Sequence, residues 1–86
     1  MAKVHMYVTG TCPYCIAAEK LLVEKGVSGI DKVRVDLEPQ RRAEMTQKSG
    51  RTSVPQIWIG DRHIGGCDDL QALDRAGKLD ALLAAA

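Results

Sequence analysis

The feature that most restricts the fold of this chain is an alternation between short runs with the period of a β-strand and longer runs with the period of an α-helix. Residues 3–8, KVHMYV, place Val4, Met6 and Val8 at every second position, which predicts a strand with one buried face. From Pro13 the apolar spacing becomes that of a helix, which is expected to stop at Gly26. A chain that alternates in this way is typical of an α/β protein.

The middle of the chain repeats the alternation. Residues 32–37, KVRVDL, return to period two and predict a strand with Val33, Val35 and Leu37 on one face. A second helix is predicted over residues 39–49, because proline suits a first helical turn and glycine follows at position 50. The runs PQIWIG and DRHIGG then predict a β-hairpin.

The last part of the chain is helical in pattern. The run CDDLQALDRAG carries two aspartates in its first turn, where they favour the helix dipole, and one or two further helical turns follow. The predicted order is therefore βαβαββα, an α/β fold with a four-stranded mixed sheet flanked by helices. A chain of 86 residues is long enough for one small core, so residues 1–86 are predicted to form a single domain.

The amino-acid composition limits the kinds of partner that this chain is expected to bind. The formal net charge is +1 and 27% of the residues are charged, which favours neither nucleic acid nor another polyanion as a partner. No run approaches the roughly 18 apolar residues of a membrane span, and the start MAKVHMYV is not a secretory signal. We therefore expect a soluble, monomeric, cytoplasmic protein that binds neither membranes nor nucleic acid.

The motif CPYC, residues 12–15, places two cysteines at the start of the first predicted helix. With Pro13 as the first helical residue, Cys12 is the N-cap, where unpaired N–H groups and the helix dipole stabilise a thiolate. Cys15 lies one turn further on, close enough for a bridge but deeper and without the cap. The pattern predicts Cys12 as an attacking thiolate and Cys15 as a resolving thiol.

Two other interpretations of the pair carry less weight. A zinc site needs four ligands, and the chain adds only Cys67, His5 and His63, with no second Cys-x-x-Cys motif. A purely structural disulfide would close a very short loop and would add little stability through loop entropy.

Two further motifs could complete a binding site around the cysteines. Pro55, in TSVPQIWIG, stands at the entry to a strand, where a lone proline is most often only a boundary. Downstream of a Cys-x-x-Cys helix it looks like the cis-proline of the thioredoxin fold, which leaves backbone groups of Val54 free for an extended ligand. The motif GGCDD adds two glycines and a helix N-terminus, in which Asp68 either caps the helix or holds an ammonium group.

The motifs CPYC, SVP and GGCDD, at these separations and in this element order, resemble those of the glutaredoxin family, in particular the small dithiol type of bacteria. The resemblance covers the chain from residue 3 to about residue 83. It implies a thioredoxin-like fold, Cys12 as nucleophile, Cys15 as resolving thiol and Pro55 in cis. The chain departs from the family pattern at Thr9, where relatives often carry lysine.

The resemblance also implies a glutathione cleft. Tyr14 flanks the cleft, Pro55 is a further glutathione-binding residue, and Val54 exchanges backbone hydrogen bonds with the cysteinyl part of glutathione. Cys67 and Asp68 receive the γ-glutamyl carboxylate and ammonium groups, and Arg51 is a candidate for the glycyl carboxylate.

The activity implied is that of a glutathione-dependent thiol–disulfide oxidoreductase. Its substrates are glutathionylated proteins and protein disulfides, glutathione is a co-substrate, and no tightly bound cofactor or metal is expected. Two alternatives remain open: a redoxin served by thioredoxin reductase, and a metal-binding module that holds zinc or a glutathione-ligated iron–sulfur cluster.

Overall fold

The computed structural model describes residues 2–84, so the first residue and the last two of the predicted domain lie outside the described part. The predicted order of elements is confirmed, and the terminal helical turns form a short helix of their own. The elements are β1 Val4–Val8, α1 Pro13–Glu24, β2 Asp31–Arg34, α2 Pro39–Ser49, β3 Gln56–Ile59, β4 Arg62–Gly65, α3 Cys67–Arg75 and α4 Leu79–Ala84.

The four strands form one mixed sheet in the order β2-β1-β3-β4. β1 pairs in parallel with β2, and β3 runs antiparallel to both β1 and β4. The parallel pair is joined by α1, as a crossover connection requires. The hairpin between β3 and β4 turns at Gly60, whose φ of 60° is readily adopted by glycine.

Both faces of the sheet are covered. On one face, the alternate β1 residues Val4, Met6 and Val8 pack against α1, α3 and α4. On the other face, Tyr7 and Trp58 form a second cluster beneath α2, which contributes Met45. The prediction that β1 has one buried face was wrong, because Tyr7 is fully buried as well. Tyrosine is amphipathic, so its position between apolar residues did not indicate burial. In the structure its hydroxyl donates a hydrogen bond to Glu44 on α2, which satisfies the polar end of the buried side chain.

The second strand is shorter than its pattern predicted. β2 ends at Arg34, and the N–H groups of residues 37 and 38 both donate to the carbonyl of Arg34, which turns the chain toward α2. Val35 is buried as expected, but Leu37 is 68% exposed. The predicted strand was therefore too long, because the alternation of apolar residues continues past Arg34 into a turn that local hydrogen bonds close.

The helical boundaries agree closely with the pattern. Pro39 is the first residue of α2, and Gly50 ends it in a left-handed conformation with φ of 73°. Within residues 2–84, no helix has both the length and the apolar character needed to cross a membrane.

Candidate active site

Cys12 caps the N-terminus of α1. Its backbone is extended, with φ −85° and ψ 113°, and Pro13 begins the helix. The Sγ atom of Cys12 accepts a hydrogen bond from the backbone N–H of Cys15 at 3.3 Å. This is the contact that an N-cap side chain makes, so the sulfur lies at the positive end of the helix dipole. Cys12 is half-buried and free, so its sulfur can be reached from outside.

Cys15 lies in a different environment although it is only one turn away. Its side chain is buried, and it packs in the core cluster below the helix. Burial, followed by the hydrogen bond with Cys12, raises the pKa of the Cys15 thiol to about 12. Cys15 therefore stays protonated at neutral pH, which is the state that the sequence predicted for a resolving thiol.

The peptide bond between Val54 and Pro55 is cis, as the resemblance implied. The carbonyl of Val54 lies 3.8 Å from the Cys12 sulfur, which donates to it when protonated. Pro55 is buried and Val54 is half-buried. The loop before β3 thus forms a wall next to the exposed side of Cys12.

An open cleft of about 240 Å³ lies along this wall. It brings together all six residues that the resemblance assigned to glutathione, although they come from three separate segments. The lining residues are Tyr14, Arg51, Ser53, Val54, Pro55, Gly66, Cys67, Asp68 and Asp69.

Three predicted ligand residues differ in exposure. Tyr14 is 63% exposed, on the outer side of the first turn of α1. Cys67, the first residue of α3, is buried, and burial together with the neighbouring Asp68 raises the pKa of its thiol. Asp68 is exposed and faces the cleft.

Asp69 has a larger part in the cleft than the sequence analysis gave it. Its Oδ2 accepts the backbone N–H of Gly66 at 2.9 Å and pairs with Nη1 of Arg51 at 2.7 Å. The Arg51 guanidinium and the Gly66 N–H together hold the pKa of the Asp69 carboxyl below its usual range. The capping contact that was considered for Asp68 is therefore made by Asp69. The spacing of Gly66 and Asp69, three residues apart across a helix start, was the available signal.

Arg51, predicted to meet the glycyl carboxylate, is positioned by this ion pair. Its Nη1 lies 3.0 Å from where a Cβ on Gly65 would be, so the guanidinium crosses directly over that glycine. One donor is committed to Asp69, and the remaining donors of the fork stay available to a ligand.

A second cavity, of about 400 Å³, lies on the other side of the first turn of α1. It is bounded by Cys15 and Ile16 on one side and by Lys32 and Arg34 on the other. These cations are paired with Glu19 and Asp36 respectively, so the cavity carries no net charge from them. Among residues 2–84, no three His, Cys, Asp or Glu side chains are grouped so as to hold a metal ion.

Sequence reasoning missed one buried polar group behind the cleft. Gln56, the first residue of β3, is fully buried and bonds to Ser53 and to His63. His63, which the sequence analysis considered only as a possible zinc ligand, is half-buried. Nothing in the local pattern marks this pair, because the two residues meet only across the hairpin.

Two thiols within one helical turn, one of them beside the Val54 wall of a cleft and the other held protonated, can exchange disulfide bonds with an extended thiol ligand. The class of protein that combines this chemistry with this sheet is the thiol–disulfide oxidoreductases of the thioredoxin-like fold.

Comparison with known proteins identifies the family. The glutaredoxin family model matches residues 4–64. A glutaredoxin of Pseudomonas aeruginosa is 58% identical over 85 residues, which is 99% of this chain and 100% of that protein. Glutaredoxin 3 of Escherichia coli K12 is 54% identical over 83 residues, covering 96% of this chain and 99% of the relative. The chain belongs to the glutaredoxin family.

Solved structures agree with the fold. A buckwheat glutaredoxin–glutathione complex superposes with a TM-score of 0.87 at 30% identity, over 95% of this chain and 76% of that one. The predicted thioredoxin-like fold is confirmed.

Proposed function

We propose that this chain is a cytoplasmic, glutathione-dependent oxidoreductase that reduces protein–glutathione mixed disulfides through Cys12 and protein disulfides through Cys12 and Cys15. The observation that carries the proposal is the position of the Cys12 sulfur. It caps α1 and lies beside the carbonyl of Val54, at the edge of the cleft that ends at the N-terminus of α3. The glutathione bound to the related buckwheat protein supports glutathione as the ligand.

The route for a mixed disulfide needs one cysteine. The Cys12 thiolate attacks the glutathione sulfur, a Cys12–glutathione disulfide forms, and the protein thiolate leaves and takes up a proton. A second glutathione, as thiolate, attacks the glutathione sulfur of that disulfide. Oxidised glutathione leaves and the Cys12 thiolate is restored, so electrons and protons balance over the cycle.

The route for a protein disulfide needs both cysteines. Attack by Cys12 joins the enzyme to the substrate protein, and Cys15 then attacks the Cys12 sulfur, which releases the reduced protein and leaves a Cys12–Cys15 bridge. Two glutathiones reduce the bridge in turn. The buried position of Cys15, directly beneath Cys12, suits it to this intramolecular step.

The cleft supplies the recognition. In the proposal, backbone groups of Val54 bind the cysteinyl part of glutathione, Asp68 binds its ammonium group, and the start of α3 at Cys67 binds the γ-glutamyl carboxylate. Tyr14 flanks the sulfur, Pro55 holds the loop, and Arg51 binds the glycyl carboxylate with the donors that Asp69 leaves free.

Serine variants test the division of roles. Cys15→Ser is expected to keep turnover of a glutathionylated peptide and to lose most reduction of a protein disulfide, because only the second route uses Cys15. Cys12→Ser is expected to abolish both. Retention of either activity by Cys12→Ser would overturn the assignment.

The alternatives predict different outcomes. If thioredoxin reductase is the natural reductant, NADPH oxidation with that enzyme exceeds the rate with glutathione and glutathione reductase. If a zinc ion or an iron–sulfur cluster is bound, anaerobically purified protein contains metal, and a cluster also gives visible absorbance. Metal-free protein with rapid glutathione-coupled turnover is the result that we expect.

A further inference from the structure

We propose that Gln56 and His63 are positioning residues that hold the turn at Ser53 and, through it, the Val54–Pro55 wall of the cleft, and so set the affinity for glutathione disulfides. The inference rests on the proposed function and extends it to two residues that neither line the cleft nor touch the cysteines.

Gln56 is the one buried polar side chain among the residues that the structure describes. Its Nε2 donates to the carbonyl of Ser53 at 3.0 Å and lies 3.4 Å from the Ser53 hydroxyl. Its Oε1 lies 2.8 Å from Nε2 of His63. A buried amide that loses these partners is costly, so the three groups are held together as a unit.

The direction of each hydrogen bond follows from chemistry. The Ser53 carbonyl can only accept, so the Gln56 atom that faces it must be the amide nitrogen. The Gln56 oxygen then faces His63, which must carry a proton on Nε2. One backbone carbonyl in the loop thus fixes the amide orientation of Gln56 and the tautomer of His63.

The ring of His63 is itself held in place. It lies against Trp58 with ring centroids 4.6 Å apart, and the two residues are directly opposite each other in β4 and β3. Burial, and the nearby cation of Arg51, lower the pKa of His63, while Asp69 opposes them. The ring is therefore neutral at neutral pH, and its single proton lies on Nε2, where the Gln56 oxygen accepts it.

The unit acts on the loop that contacts the nucleophile. Ser53 lines the cleft and directly precedes Val54, whose carbonyl lies beside the Cys12 sulfur. Because Gln56 is fixed in β3, its hydrogen bond to Ser53 determines the position of the Val54–Pro55 wall of the cleft. Such support is how a binding site keeps the geometry that its ligand needs.

A matched set of histidine variants tests the proposal. Glutamine can present an N–H near the position of Nε2, whereas asparagine is too short to reach Gln56. His63→Asn is expected to raise KM for a glutathionylated peptide roughly three- to tenfold with kcat unchanged, as loss of one hydrogen bond in the support predicts. His63→Gln is expected to restore KM to near the wild-type value.

His5→Asn is the control for this set. His5 flanks Trp58 from the other side, with ring centroids 6.2 Å apart, and pairs with Asp31 rather than Gln56. It is expected to leave KM unchanged. The alkylation rate of Cys12 is expected to change much less than KM in all three variants, because the N-cap of α1 is untouched.

Gln56→Met gives an independent second test, since it removes the hydrogen bonds to Ser53 and to His63 at similar side-chain length. A rise in KM that matches or exceeds that of His63→Asn supports the proposal. If His63→Asn lowers the melting temperature but leaves KM as in the wild type, the unit is merely structural and the positioning role is overturned. If the wild type itself fails to turn over the peptide, the proposed function is overturned, and the positioning role with it.

Discussion

Cys12 and Cys15 carry the same functional group one helical turn apart, and their surroundings set them to different tasks. The sulfur of Cys12 accepts the N–H of Cys15 at the helix start, whereas the thiol of Cys15 is buried below it. Part of the rise in the pKa of Cys15 comes from Cys12 itself. The contribution of Cys12 to the pKa of Cys15 disappears when the Cys12 sulfur enters a disulfide. Formation of the mixed disulfide therefore lowers the pKa of Cys15 and favours its attack, although burial still keeps that pKa high.

A pH dependence of the resolving step follows from this. Because burial raises the pKa of Cys15 far above neutrality, its thiolate fraction grows with pH. The rate of Cys15-dependent release of a trapped substrate protein is expected to rise about tenfold per pH unit between pH 6 and 8. Stopped-flow measurement of release reports this rate. A flat profile would show that Cys15 is already ionised there.

Asp69 is the second residue whose role depends on its neighbours. Asp69→Ala is expected to lower the free energy of unfolding by about 1 kcal/mol at pH 7. The loss comes mainly from the capped N–H of Gly66, because the pair with Arg51 is partly exposed and screened by solvent. Asp68→Ala, at an exposed position, is the control and should cost only a few tenths of a kcal/mol.

The sign of the pH effect can be stated for Asp69. Its folded-state pKa lies below the unfolded value of about 3.9, so its contribution is complete above that pH and is lost as the pH falls through the folded-state pKa. The stability difference between wild type and Asp69→Ala should therefore shrink below about pH 4. A constant difference across that range would show that the charge of Asp69 contributes nothing.

At the scale of elements, the junction between β4 and α3 shapes the far end of the cleft. Gly65 has a φ of 116°, and a Cβ there would lie 2.3 Å from Oδ2 of Asp69. Gly65→Ala is expected to destabilise the protein by about 1–3 kcal/mol and to weaken glutathione binding, because both the backbone and the Asp69–Arg51 pair must shift.

Gly10→Ala is the matched comparison. A Cβ there would lie 2.3 Å from Nη2 of Arg34, which is the far end of a flexible side chain and can move aside. Chemical denaturation of both variants measures the contrast. An equal loss of stability in the two would contradict the account of the β4–α3 junction.

The elements also show where sequence patterns succeed and fail. The bounds of α2 followed from Pro39 and Gly50, because both residues act through their own backbone. The end of β2 did not, because it depends on a turn closed by the carbonyl of Arg34. Apolar spacing carried no sign of that turn, and Leu37 was consequently predicted to share a strand face with Val33 and Val35, whereas it lies exposed beyond the strand.

At the scale of the whole molecule, the candidate site is an assembly of three loops that the sheet brings to one end. The loop at Cys12 follows β1, the loop at Val54 precedes β3, and the start of α3 at Cys67 follows β4. Their convergence could be anticipated only from the resemblance to a family, because separations along the chain do not determine distances in space. The Ser53–Gln56–His63 unit was missed for the same reason, since its members meet only after the hairpin has formed.

The claim on which the account depends is that the folded helix activates the sulfur of Cys12. The most direct test is the rate of alkylation of Cys12 by iodoacetamide at pH 7, measured by peptide mapping in the folded protein and in the same protein unfolded by denaturant. The account predicts that Cys12 reacts first among the three cysteines, and several-fold faster folded than unfolded despite its partial burial. Alkylation that is no faster in the folded protein, or that labels Cys15 or Cys67 first, would contradict it.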